Sequence, residues 1–149
     1  MGFFDKLFAN TQAEYQYKSK TEQEAWMAII YAAVGSDGEI SESEINTIVA
    51  TVQSKSIFNN TNGVELFRSV GMACNKVGSQ ALVDGATDSI SEGMRPTLFA
   101  IVTEMVLADG IVTKEEQTML EYISSKLCIS SEIANKIIEV MLIKAKGNI

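Results

Sequence analysis

Two stretches of this 149-residue chain carry one arrangement of side chains suited to holding a metal ion. Ser36-Asp37-Gly38-Glu39-Ile40-Ser41-Glu42-Ser43-Glu44 aligns residue for residue with Ala108-Asp109-Gly110-Ile111-Val112-Thr113-Lys114-Glu115-Glu116. Both read Asp-Gly, a variable residue, an aliphatic, Ser or Thr, two variable residues and Glu. Asp37, Glu44, Asp109 and Glu116 are therefore the candidate ligands. Carboxylates and hydroxyls without imidazole suit a hard divalent cation, Ca²⁺, Mg²⁺ or Mn²⁺, better than Zn²⁺ or Cu²⁺. The pattern is not an EF-hand. Gly38 follows Asp37 directly, and the alternating ligands of that loop, with glycine at its sixth position, are absent.

The same residues also fit helix punctuation. Gly38 and Gly110 are suited to left-handed helix stops, Ser41 and Thr113 to N-caps, and Glu44 and Glu116 to closing capping boxes. S/T-x-x-E recurs at Thr21 to Glu24 and Ser89 to Glu92, so the glutamates fit either role. The aspartates are harder to explain as punctuation. Counting about 100° per residue, Asp37 falls about 20° from Trp26 and Asp109 about 20° from Leu98, on the inward stripes of their helices. Both also sit at helix C-termini, where the macrodipole disfavours an anion by about 0.3–1 kcal/mol. Local Asx-turn bonding is one explanation; a shared cation is the other. Glu116 is centred on the stripe Leu120, Ile123 and Leu127 and should point inward, whereas Glu44 lies at the edge of its helix's apolar face.

Composition narrows the chemistry further. The chain has no histidine, which removes Ser-His-Asp and Cys-His catalysis and any imidazole ligand. No nucleophile with an activating base remains, so no enzyme is expected. Lys and Arg number 12 against 19 Asp and Glu, a formal charge of −7, which argues against nucleic acid as a partner. Cys74 and Cys128 lack CxxC spacing and stand among apolar residues, so both are expected as buried free thiols in a reducing compartment. No run reaches the roughly 18 apolar residues of a membrane span, and no signal-peptide layout opens the chain; the expected address is cytoplasmic.

Helical periodicity runs through the elements that must carry these residues. Thr21 should cap a helix to Gly35 with the stripe Trp26, Ile29, Ile30, Ala33 and Val34. A second helix follows Ser41 with Ile45, Ile48, Val49 and Val52. Asn59 to Gly63 reads as a loop, and a third helix runs to Gly78. Residues 79–90 look helical with an interruption at Gly85. Pro96 opens a helix through Leu98, Ile101, Val102, Met105 and Val106. Met119, Leu120, Ile123 and Leu127 mark the next, and Ser130 caps the last, with the stripe Ile133, Ile137, Ile138, Met141 and Leu142. Glu104, inside an apolar run, is expected on an outer face. The cluster Phe3-Phe4-Asp5-Lys6-Leu7-Phe8 fits a small amphipathic helix, docked on the domain or lying on a membrane. Together these predict an all-α bundle of about seven helices in one domain, residues 1–149, built from two pseudo-symmetric hairpin halves at about 21–78 and 79–149.

The paired hairpins Asp37 to Glu44 and Asp109 to Glu116, the length, and the opening Gly2-Phe3-Phe4-Asp5-Lys6 resemble the TerB family of tellurite-resistance and stress-response proteins. The resemblance spans nearly the whole chain. It implies a domain of about seven helices from two related halves, metal binding by Asp37, Glu44, Asp109 and Glu116, and a part in bacterial stress or tellurite tolerance through membrane-associated complexes at the inner membrane. Lys114 opposite Glu42, and Ile111 where the first half has Glu39, depart from a fully acidic pattern and should weaken one half-site. Two functions follow as expectations: a non-enzymatic cation-binding stress protein, or a helical interaction module with no metal role, an adaptor, subunit or co-chaperone-like protein whose apolar groove or N-terminal cluster binds another protein. Oligomeric state has no signature in the sequence.

Overall fold

The computed structural model of the chain describes Phe4, residues 16–36 and residues 38–148. These residues form seven α-helices: α1 (Glu22–Val34), α2 (Glu42–Gln53), α3 (Gly63–Val77), α4 (Ser79–Ala86), α5 (Arg95–Leu107), α6 (Lys114–Lys126) and α7 (Ser131–Ala145). Short 3₁₀ turns follow α2, α4 and α7 and precede α5, and no strand occurs among the described residues. The all-α expectation holds.

The position of α1 follows from its sequence. The stripe from Trp26 to Val34 is buried, and so are Ala25, Met27, Ala28 and Ala32 on its other sides. A helix apolar all round has no face to give to water and takes the centre of the bundle. Accordingly α1 packs against α3, α4, α5 and α6, with Trp26 edge-on to Phe58 at 6.1 Å. Its counterpart in the second repeat, α5, is similar. Leu98, Phe99, Val102, Val106 and Leu107 are buried, and the buried Thr103 hydroxyl donates to the Phe99 carbonyl at 2.7 Å. Because α1 and α5 pack on each other, one apolar cluster runs through both halves of the repeat.

Local signals set the helix ends. Asn62 and Ser130 cap α3 and α7 by accepting from Glu65 N and Ile133 N, and Pro96 sits in the first turn of α5. Thr21 accepts from Glu24 N at 3.1 Å, but the Glu24 carboxylate receives the Tyr17 hydroxyl at 2.7 Å, so no reciprocal box forms there. Ser89 caps no helix; its hydroxyl donates to Ser19 O.

Four expectations are corrected. Gly85 does not interrupt α4, which runs unbroken from Ser79 to Ala86. It is glycine because the chain passes against it: Ser19 N donates to Gly85 O at 3.0 Å, and a Cβ on Gly85 would lie 2.1 Å from Tyr17 O. Cys128 is exposed and Cys74 only half-buried. The turn after α6 puts Cys128 at φ +58°, sending Leu127 into the core and the thiol outward. The stripe on α7 is only partly covered. Ala134 and Ala145 are buried and Ile137, Ile138 and Met141 half-buried, while Ile133 and Leu142 are exposed, since α7 packs chiefly on α5. Asp109 is exposed because α5 ends two residues before it. Glu104 is on the outer face, paired with Lys144 at 3.0 Å. The Phe3 to Phe8 cluster lies outside the described residues except for Phe4, which is exposed.

Candidate functional site

The two repeated turns share their backbone geometry. Gly38 N donates to Gly35 O and Gly110 N to Leu107 O, both at 3.0 Å, with the glycines at φ +101° and +77°. These are left-handed values that a side chain makes costly. Ser41 and Thr113 follow as N-caps at nearly identical dihedrals, φ −71°, ψ 159° and φ −72°, ψ 161°. Each closes a full capping box. Glu44 N donates to Ser41 Oγ and Ser41 N to Glu44 Oε1, both at 3.1 Å. Glu116 N donates to Thr113 Oγ1 at 3.1 Å and Thr113 N to Glu116 Oε1 at 2.9 Å.

Burial separates the two copies. Glu116 is only 8% exposed, as its place on the Leu120, Ile123 and Leu127 stripe predicts, whereas Glu44 is exposed. Asp109 does not extend the inward stripe of α5. That helix ends at Leu107, so a count of 100° per residue no longer applies two residues later. Its Oδ1 instead accepts from Ile111 N at 3.0 Å, forming the Asx turn. Asp37 lies outside the described residues.

Three of the four candidate ligands nevertheless border the same cavity. Glu44 from α2, Asp109 from the second turn and Glu116 from α6 line one cavity of about 130 Å³, with Ser43 and Thr47 hydroxyls on its α2 side and Met105 on its apolar side. Both halves of the repeat contribute to its wall. Among the described residues, no group of three or more carboxylates or thiols is close enough together to hold a metal ion. Each of the three carboxylates spends an oxygen on a backbone amide of its own turn. Lys114, expected to weaken a half-site, borders a different cavity, with Ser79 and Tyr122.

Two features had no local signature. Asp84 of α4 receives both the Tyr122 hydroxyl, at 2.5 Å, and the Lys126 ammonium, at 3.2 Å, on one oxygen, tying α4 to α6. The hydrogen bond to Asp84 holds the Tyr122 phenol above its usual range, and the bond to the same carboxylate raises Lys126. Tyr122 and Lys126 share a helix face and could be paired from sequence; Asp84 is 38 positions from Tyr122 and could not. The second feature is an apolar groove of about 420 Å³ between α6 and α7 over the end of α5. The exposed side of α7 was hidden in a stripe that reads as core.

No described helix is long and apolar enough to cross a membrane. Comparison with curated proteins and with solved structures gives no match. Comparison with protein families matches residues 23–140 to tellurite resistance protein TerB. That span runs from the first turn of α1 into α7 and includes both repeated turns, and on it the chain belongs to the TerB family of tellurite resistance proteins.

Proposed function

We propose that this protein serves tellurite and stress resistance without catalysing a reaction, by binding a hard divalent cation between its two hairpins. The observation that carries this is the convergence of Glu44, Asp109 and Glu116, from both halves, on one small cavity. Ca²⁺, Mg²⁺ or Mn²⁺ accepts an oxygen set of carboxylates and hydroxyls such as lines this cavity. Asp37, its counterpart Asp109 being on the cavity wall, is the fourth ligand of this reading. Binding competes with the caps. Turning a carboxylate from its backbone amide to the ion costs about 1 kcal/mol per hydrogen bond, so occupancy and helix capping are coupled. In this reading the protein works in the cytoplasm or at the periphery of the inner membrane.

Cation titration with a thermal-melt readout tests it. A cation at a hundredfold excess over its Kd stabilises by about 2.7 kcal/mol, and the shift should vanish in a variant with Asp37→Asn and Asp109→Asn. Asparagine keeps the Asx turn and removes the charge. Equal melting of the wild type with and without excess Ca²⁺, Mg²⁺ and Mn²⁺ overturns the reading. A second reading, an interaction module, is favoured by the groove between α6 and α7.

A further inference from the structure

Most of the exposed large apolar side chains among the described residues lie on the second turn and on α7. Ile111 and Val112 of the second turn and Ile133, Val140, Leu142 and Ile143 of α7 are all exposed. Two of them, Val112 at 37% and Leu142 at 49%, rim the groove, which is floored by Leu107, Leu120 and Ala134, each under a tenth exposed. Its two walls are helix faces. Gln117, Leu120, Glu121 and Ser124 stand at i, i+3, i+4 and i+7 on α6, and Ala134, Ile138 and Leu142 at i, i+4 and i+8 on α7. Rows at these spacings are the ridges between which a third helix seats. At 1.5 Å per residue the walls are about 10 and 12 Å long, enough for about two turns of a guest.

Charge indicates which guest. Among the described residues, Glu121 is the single charged one lining the groove; the other polar lining groups, Gln117, Ser124, Ser131 and Asn135, are neutral. The chain as a whole carries −7. From this geometry we infer that the groove takes an amphipathic helix of a partner protein, with two or three large aliphatic anchors and a basic flank facing Glu121. An apolar face laid into a groove in this way is read by anchors at i, i+3 or i+4, and i+7. The inference deepens the interaction reading and rests on it, not on cation binding.

The probe is a fluorescent synthetic helix of leucine and lysine, compared with its leucine and glutamate counterpart by anisotropy against the full chain, in EDTA. The lysine peptide should bind and the glutamate peptide should not. Leu142→Glu and Val112→Asp, at exposed positions and with folding checked by circular dichroism, should each weaken binding about tenfold or more, equivalent to about 1.4 kcal/mol. Glu121→Gln should flatten the salt dependence. Met72→Glu, exposed on α3, should change nothing. Equal binding of both peptides, or no binding of either, overturns the proposal. Lysine-peptide binding that survives Leu142→Glu and Val112→Asp overturns the groove while leaving the interaction reading standing. A wild-type dimer that Leu142→Glu converts to monomer in sedimentation, or peptide affinity raised by Phe4→Ser, would assign the groove to a second copy or to this chain's own residues and overturn the partner helix.

Discussion

Glu44 and Glu116 close the same capping box in two copies of one turn and face one cavity, yet only Glu116 is buried. The difference lies in what packs over them, because the local geometry is the same. Glu116 stands on the core stripe of α6, and Glu44 at the margin of α2.

That asymmetry has an energetic consequence. Ser41→Ala and Thr113→Ala should each cost about 1 kcal/mol, the ordinary value of an N-cap, or about 2–4 °C in melting temperature. Glu116→Ala should cost more than Glu44→Ala, since it strands the Thr113 N–H in a part-buried turn whereas Ser41 N is exposed to water. Urea denaturation of the four variants gives the ranking; equal losses at the two glutamates would deny burial any role.

Gly85 should tolerate no side chain. A Cβ 2.1 Å from Tyr17 O forces the 17–19 segment off α4 or bends the helix, at about 1–3 kcal/mol for Gly85→Ala. Gly93→Ala, where a Cβ meets nothing within 4 Å, should leave the melting temperature unchanged or slightly higher. Differential scanning calorimetry of both variants checks the contrast.

The link between α4 and α6 should respond to alkali. Asp84 raises the phenol of Tyr122 above 10.0 and the ammonium of Lys126 above 10.5 in the folded chain. The unfolded chain therefore releases these protons first as pH rises. Stability from the link is fully present below pH 10.0 and declines above it, as Tyr122 and Lys126 lose their protons in turn. Tyr31, raised chiefly by burial, contributes with the same sign. The urea midpoint of the wild type should thus fall more steeply above pH 10.0 than that of Tyr122→Phe; parallel profiles would count against the link.

The thiols should separate by rate. In the native protein Cys128, exposed, should react quickly with a thiol reagent such as dithionitrobenzoate, and Cys74, half-buried against Ser79, slowly. Cys128→Ser should remove the fast phase alone.

Sequence by itself determined which segments are helical, the caps at Ser41, Thr113 and Ser130 and both glycine turns, because each depends on residues within four positions of one another. Ser41 with Glu44, Thr113 with Glu116, and the positive φ of Gly38 and Gly110 are local bargains between side chain and backbone. Periodicity also predicted Glu116 as inward and Glu104 as outward. Tertiary structure alone decided the rest. Whether an apolar stripe is covered depends on which helices arrive over it, so α1 is buried on all sides while α7 keeps an open one. Asp109 left its stripe because α5 ended two residues before it. Gly85 and Asp84 took their roles from Tyr17, Tyr122 and Lys126, distant in sequence and adjacent only once the chain has folded.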